Sequence, residues 1–418
     1  MENVYSGKKN FQIALLLTVA ALGYFVDIYD LVLFGVVKAE SLNQIMSTAT
    51  DADKAATGKF LFNMQMLGML LGGLLWGVLG DKKGRLKVLF GSILLYSLAN
   101  IANAFVTDIP QYIVVRFFAG LGLAGELGGA VTLVSEIFSK EKRGYATMII
   151  VTMGACGAIV AALIGRTSFH IFSLENWQSV YILGGGLGLV LLLMRSMTME
   201  SHLFERADLA TTRGSLKLLF SDSLRVKKYL ACIAIGLPNW YGLGILIKFS
   251  EQFASTNNVK GGTVAVGIAI MMLFSGLAIG DLLSGWLSQI FKTRKKIILW
   301  YFNFTVPLVL FFLYAKGLSI ESFYVLCFLI GLSVGYWVLF VSMAAEQFGT
   351  NLRATVTTSV PGMVRGLVIP MTLAYKGLEA YVGNVHSAAL IGGLVFLLAY
   401  ISLNFLSETF AKDLDYDE

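Results

Sequence analysis

Asp27 and Asp30 stand one helical turn apart in "GYFVDIYDLVLFG", residues 23–35, inside an apolar run that extends from Phe11 to about Val37. A charge at mid-membrane costs about 2.5–3.5 kcal/mol on the insertion scale, so acids in such a run usually face a cavity and mark a pathway. The i, i+3 spacing puts both carboxylates on one helix face, together with Tyr24 and Phe34. The chemistry open to such a pair is reversible proton binding. At 1.5 Å per residue, Asp27 lies roughly 24 Å from the inner end of its span, and Arg116 lies roughly 9 Å from the outer end of another, in the same leaflet. Two carboxylates with a guanidinium in reach form a group whose charge state depends on protons. An Asp–Arg pair that only ties two helices together is the structural alternative, and the residues alone leave open which aspartate titrates.

Two further cations sit in apolar surroundings, Lys248 and Arg365. Arg365 is about 18 Å along its helix, near the midplane. Asp281 and Glu251, the obvious acids of the second half, read as nearer to helix ends. A guanidinium is a planar, permanently charged fork that fits a carboxylate, so Arg365 is a candidate for binding an anionic substrate. Lys248 can do the same, snorkel outward or pair with Glu251. "GLPNWYGLG", residues 236–244, adds a proline break at Pro238 and offers Asn239, Trp240 and Tyr241 either to line a site or to pack.

The elements that must position these groups are membrane helices. The 418 residues are 56% hydrophobic and 14% charged, where a soluble domain has about 45–50% and 25%. Apolar runs of the length needed to cross hydrocarbon recur at roughly 11–38, 57–80, 86–106, 110–137, 144–167, 177–197, 229–253, 263–290, 295–315, 321–345, 354–380 and 385–408. Period-two alternation is absent, so the reading is an all-α polytopic membrane protein with twelve transmembrane helices. The first run is too long for a signal peptide and is taken as a retained span. With both termini placed in the cytoplasm, 22 of the 32 Lys and Arg residues fall on that side, 7 on the other and 3 within spans. The net charge of +6 is then a topology signal, not a nucleic-acid footprint. Cys156, Cys232 and Cys327 lie in predicted helices without metal-ligand spacing. His170, His202 and His386 form no HExxH or triad-like pattern, so neither a metal, a cofactor nor an enzyme activity is expected. "GLGLAG", with Gly120, Gly122 and Gly125, matches a dinucleotide fingerprint but sits inside an apolar helix, where small residues serve packing.

The chain also repeats itself. Glu136, Phe138 and Arg143 recur as Glu346, Phe348 and Arg353 at an offset of 210, and Gly72 and Gly77 recur as Gly280 and Gly285 at an offset of 208. The longest polar break separates the runs six from six, giving an N-terminal six-helix half at 1–199, a cytoplasmic linker at 200–228 and a C-terminal half at 229–418.

Between the second and third runs, "GVLGDKKGRLK" supplies Gly77, Asp81, Lys82, Gly84, Arg85 and Lys87, and here the sequence resembles the major facilitator superfamily. The family's G-x-L-a-D-[RK]-x-G-[RK]-[RK]-[RK] loop is met except at Leu86, with Gly80 in the small-residue place. "MESHLF" resembles the family's P-E-S motif with Met199 for proline, "RFFAGLG" its span-four motif that includes Arg116 and leads to Glu126, and "DIYD" the span-one signature of metabolite and aromatic-acid proton symporters. The resemblance implies a secondary active transporter that takes up a small organic anion, a carboxylate first, with protons by alternating access. A proton-antiport exporter of a drug, siderophore or amino acid is the alternative, and the loop does not discriminate direction. It implies further that Asp81 and Arg85 form a gate with Glu136 and Arg143, repeated at Glu346 and Arg353, although the basic residues could serve topology alone. The expected setting is the cell inner membrane, as a monomer in the lipid bilayer whose partners are a small-molecule substrate and protons.

Overall fold

The computed structural model describes residues 2–164, 167, 170–171, 173–196 and 213–418, with residues 2–11 as helical backbone only. The longer helices are α1 (Glu2–Ile45), α2 (Asp51–Lys83), α3 (Arg85–Asn103), α4 (Ile109–Ile137), α5 (Arg143–Ile164) and α6 (Asn176–Arg195). After a short helix at Leu216–Ser221 come α7 (Ser223–Tyr241), α8 (Val266–Phe291), α9 (Lys295–Tyr314), α10 (Ile320–Val334), α11 (Trp337–Gln347), α12 (Arg353–Gly366) and α13 (Val368–Phe405). Among the described residues there is no strand, only one isolated bridge between Lys260 and Ser319. Met199, the neighbouring Glu200 and Ser201, His202 and the proposed linker as far as residue 212 lie outside the described residues.

Among the described residues, eleven helical stretches are long and apolar enough to cross a membrane, and the last of them, Arg353–Phe405, has 53 residues. At 1.5 Å per residue that is about 80 Å, more than two hydrocarbon thicknesses. It is divided at Gly383, whose φ of 77° is in the left-handed region that glycine adopts without strain. The described residues therefore hold twelve stretches of crossing length, as the apolar runs predict. Helices are the form in which each segment satisfies its own backbone polar groups without water. Starts are fixed by side-chain caps: Gln111 N–H donates to Asp108 Oδ1 at 2.8 Å, Arg225 N–H to Asp222 at 3.0 Å and Ser322 N–H to Ser319 Oγ at 3.2 Å. Outward faces stay apolar. Leu67, Leu71 and Leu75 on α2, and Leu390, Leu394, Leu397 and Ile401 on α13, recur every three or four residues and are exposed, as a lipid-facing stripe requires.

The glycine repeat has a packing meaning that is the same on both sides of the molecule. A Cβ at Gly72 on α2 would meet the Leu121 backbone of α4, and one at Gly280 on α8 would meet the Leu332 backbone of α10. One turn further on, Gly77 abuts Thr355 of α12 and Gly285 abuts Met148 of α5. Each repeat thus uses its first glycine to approach a helix of its own half and its second to approach the other half. Close backbone approach of this kind replaces the hydrophobic effect, which is absent between helices in lipid. Gly72→Val is expected to force α2 and α4 apart and lower stability by about 1–3 kcal/mol, the usual cost of overpacking. The detergent-solubilised melting temperature reads it, and an unchanged value would refute the close approach.

Two irregularities shape the centre. After Pro238, α7 runs into a π-helical turn at Gly242–Ile247, and such bulges favour functional sites. The tenth crossing is interrupted at Gly335 and Tyr336 between α10 and α11, where the Tyr336 hydroxyl donates to the Ile235 carbonyl at 2.9 Å.

Candidate functional site

The α7 and α10–α11 irregularities border a small central cavity. Its aromatic wall is Tyr24, Trp240, Phe274 and Trp337, and its polar groups include Asn239, Asp281 and Arg365. Aliphatic side chains of α1, α5 and α8, among them Ile28, Val151 and Leu277, complete it. Residues from both halves therefore share one chamber.

Arg365 is buried, and its Nη2 donates to the Tyr24 hydroxyl at 3.3 Å and lies 3.8 Å from Asp27 Oδ2. Its guanidinium carbon is 5.9 Å from the centre of the Trp240 ring. This corrects one expectation: the ion pair made by the aspartates is with Arg365, from the other half, and not with Arg116. Sequence position hides the reason, because only the packed bundle lets the long Arg365 side chain of α12 reach α1. Asp27 itself is fully buried behind Arg365, and neither of its oxygens accepts a hydrogen bond.

Asp30 faces away, against α6, where a Cβ at Gly184 would collide with its Oδ1. The Arg116 charge and the Asn100 amide lie beside it. Arg116 is tied elsewhere: Nη2 donates to Gln65 Oε1, Nη1 to the Tyr181 hydroxyl at 3.5 Å, and the guanidinium lies 4.3 Å over the Phe34 ring. From Tyr181 the hydroxyls of Tyr112 (3.0 Å) and Ser41 (3.2 Å to Tyr112) continue the chain. Asp30 and Arg116 thus form a second polar region inside the first six helices, outside the cavity wall.

The other sequence candidates separate. Asn239 Nδ2 donates to the Val334 carbonyl at 2.9 Å while the side chain still borders the cavity. Tyr241 does not line it: its hydroxyl donates to the Ala388 carbonyl at 2.8 Å, against Phe396. Lys248 neither pairs with Glu251 nor reaches the chamber. Its ammonium lies 4.7 Å over the Phe62 ring and shares its surroundings with Lys38 and Lys59. α7 continues unbroken through Pro238 to Tyr241, and Tyr241 and Lys248 lie on other faces than Asn239 and Trp240.

At the end of the bundle that carries residues 80–87, the motif residues assemble into an ionic network of two clusters. Asp81 accepts from Ala354 N–H (3.0 Å), Thr355 N–H (2.8 Å) and the Thr355 hydroxyl (2.6 Å), so its carboxylate caps α12 across the two halves. Glu136 Oε1 accepts from Arg85 at 2.8 Å and from Arg353 at 2.9 Å. Glu346 Oε1 accepts from Arg143 at 2.8 Å and from Arg294 at 3.1 Å. Of the expected quartet, Arg85 meets Asp81 at 3.6 Å and Glu136, while Arg143 pairs instead with Glu346 of the repeat copy, so that each repeated glutamate bridges one arginine from either half. Residues near the C-terminus cross the same face. Arg143 donates to the Lys412 carbonyl at 2.8 Å, Thr350 N–H to the Tyr416 carbonyl at 2.7 Å, and Lys140 pairs with Asp413 at 2.6 Å. That ammonium holds the exposed Asp413 carboxyl below the usual carboxylate range.

Sequence reasoning missed three participants. Arg195 makes a two-pronged pair with Glu126, at 2.7 and 2.8 Å, which explains Glu126 as a tie between α4 and α6. Arg294 reads from sequence as one more topology charge. Trp337 gives no signal, because its place in the cavity depends on the break at Gly335–Tyr336.

A family model described as the Major Facilitator Superfamily matches residues 20–372. The chain belongs to the major facilitator superfamily. It is a multi-pass membrane transporter of small molecules and not an enzyme. It is 27% identical over 321 residues, 75% of this chain and 77% of the relative, to a Bacillus subtilis (strain 168) protein named for niacin/nicotinamide transport, NiaP. It is 29% identical over 287 residues to the 3-(3-hydroxy-phenyl)propionate transporter of Escherichia coli (strain K12), covering 59% of this chain and 69% of that one. The facilitator fold is matched by the proton:xylose symporter XylE in complex with 6-bromo-6-deoxy-D-glucose, with a TM-score of 0.77, 15% identity, and coverage of 97% and 98% of the two chains.

Proposed function

We propose that this transporter takes up a small organic carboxylate, aromatic carboxylates first, together with protons. The observation that carries the reading is the Asp27–Arg365 pair, made across the two halves at the edge of a chamber walled by aromatic side chains. With Asp27 ionised, the guanidinium is neutralised by its own neighbour. Protonation of Asp27 removes that counter-charge and leaves Arg365 and the Tyr24 hydroxyl to receive the substrate's carboxylate, so proton and anion bind together. The names of the two relatives, one for niacin or nicotinamide and one for a hydroxyphenyl-propionate, support a ring-bearing substrate. Asp30 and Arg116 are the proposed second station on the proton's path.

The proposed boundaries are an N-terminal half at 1–199 and a C-terminal half at 229–418, which rock about the chamber as a monomer in the cell inner membrane, with both termini cytoplasmic. In this setting the ionic network lies at the cytoplasmic end and holds it shut, and substrate reaches the cytoplasm when the network opens. Asp81→Asn removes the charge from the α12 cap while keeping the side-chain shape. Loss of a charged hydrogen-bond partner is worth about 1.5–3 kcal/mol, so the open-to-closed ratio at that end is expected to rise roughly ten-fold or more. Labelling of cysteines placed on the cytoplasmic side of the chamber should increase, with substrate affinity in a trapped state unchanged. Equal labelling of variant and wild type would remove Asp81 from the gate.

The reading as a whole is tested by uptake into proteoliposomes, screened over carboxylates, amino acids and sugars with and without an inward proton gradient. Gradient-dependent accumulation of a carboxylate supports it. Preference for a neutral sugar, or accumulation driven by an outward proton gradient as in antiport, overturns it.

A further inference from the structure

Among the described residues, Asp281 is the only acid in the wall of the central chamber. Asp27 stands behind Arg365, and Asp30 faces α6. Asp281 is ten residues before the end of α8 at Phe291, and Arg365 is twelve residues into α12 from Arg353. At 1.5 Å per residue these are about 15 and 18 Å from the same end of the bundle, so the anion and the cation face the chamber at similar depth. This revises the expectation that Asp281 lies near a helix end.

The carboxylate is held rigidly but left incomplete. Oδ1 accepts from the Val338 N–H at 3.2 Å, at the first turn of α11, and the Trp337 N–H lies beside it. The break before α11 is pressed onto α8, since a Cβ at Gly335 would collide with the Gly280 backbone. The Tyr301 hydroxyl, which could have served Asp281, donates instead to the Gly280 carbonyl at 2.8 Å. Oδ2 is buried with no hydrogen-bond partner. A buried acceptor left unmade is costly, and in a ligand chamber it is a place kept for a donor.

We propose that Asp281 is a specificity residue that accepts a hydrogen bond from a donor on the ring of an aromatic carboxylate whose own carboxylate is held by Arg365. The inference rests on the reading of Arg365 given above. It narrows the substrate class to aromatic carboxylates bearing a phenolic O–H or a ring N–H, with Trp240, Trp337 and Phe274 against the ring faces. A site built to pair with a substrate donor rejects the analogue that lacks it, because its own polar group is then stranded.

Benzoate and the three monohydroxybenzoates serve as the probe series. Their dissociation constants are measured on the purified full chain by calorimetry and by quenching of tryptophan emission. The wild type is expected to prefer its best hydroxylated probe over benzoate by about ten-fold or more. In Asp281→Ala that preference falls to about two-fold or less through loss of the hydroxylated probe alone, with benzoate bound as in the wild type. Asp281→Asn, which keeps the contact with Val338, retains an intermediate preference and guards against a folding defect in the alanine variant. An unchanged preference in both variants overturns the inference while leaving the carboxylate reading intact. Equal weakening of every probe also overturns it and makes Asp281 a structural tie of α8 to α11. Retained preference with lost gradient-driven accumulation overturns it in favour of a second proton site. Should the wild type bind none of the four acids while binding a neutral sugar, the carboxylate reading fails and the inference with it.

Discussion

Asp27→Asn leaves the transporter able to exchange substrate across a membrane and unable to accumulate it. The substitution keeps the size of the side chain and removes the site at which a proton exchanges places with the substrate's charge. Arg365 in this variant is permanently released from its counter-ion, so the carboxylate still binds and the binding step no longer requires a proton. An inward gradient of one pH unit offers about 1.4 kcal/mol per proton, enough for ten-fold accumulation. The wild type should approach that ratio and Asp27→Asn should stay near unity, with counterflow of labelled substrate at a comparable rate. Asp30→Asn is the companion measurement, because Asp30 lies among Arg116 and Asn100 instead of at the chamber. Should both variants accumulate fully, protons take another route and the answer offered for the two aspartates is wrong.

Arg365→Ala is expected to weaken binding of the carboxylate by roughly ten-fold to a hundred-fold, from the 1.5–3 kcal/mol of a hydrogen bond to a charged group. Arg365→Lys keeps the charge and loses the planar fork, so it should fall between alanine and the wild type. The amide of the same acid provides the control. It should bind the wild type poorly and lose little more in Arg365→Ala, because it offers no charge for the guanidinium to meet. Removing one partner of a buried pair also strands the other, at a cost of about 3–5 kcal/mol in stability where Asp27 stays ionised. Melting temperatures measured above and below neutral pH separate that effect from binding. Equal affinity for the acid in all three proteins would leave Arg365 as a tie between α1 and α12 and nothing more.

Much of this architecture is legible in the residues because membrane helices are written locally. Apolar length counted the twelve crossings, and even the merged stretch from Arg353 to Phe405 was divided correctly, since the break near 380–385 is a composition change as well as a kink. The ionic network was legible for a different reason. Its members Asp81, Arg85, Glu136, Arg143, Glu346 and Arg353 lie in two copies of short motifs, so the repeat itself announced that they belong together. What stayed hidden depends on distant segments meeting. Asp27 and Arg365 are 338 positions apart, and depth along a helix says nothing about azimuth, which is why the sequence points to Arg116 as the partner. Tyr241 and Lys248 were grouped with Asn239 and Trp240 by proximity in sequence, but Tyr241 is about a third of a turn round the helix from Trp240 and Lys248 follows the π-helical turn at Gly242–Ile247. Trp337 follows the break at Gly335 and Tyr336, which the apolar run from 321 to 345 conceals, and the same turn brings the Val338 N–H to Asp281 of α8.

The most direct test of the account is the external pH of a weakly buffered suspension of de-energised vesicles when an aromatic carboxylate is added. Coupled entry predicts a transient alkalinisation with the wild type, abolished by a protonophore and absent with Asp27→Asn even though that variant still exchanges the labelled acid. A wild type that admits the acid with no movement of protons, or an alkalinisation that survives in Asp27→Asn, would contradict it.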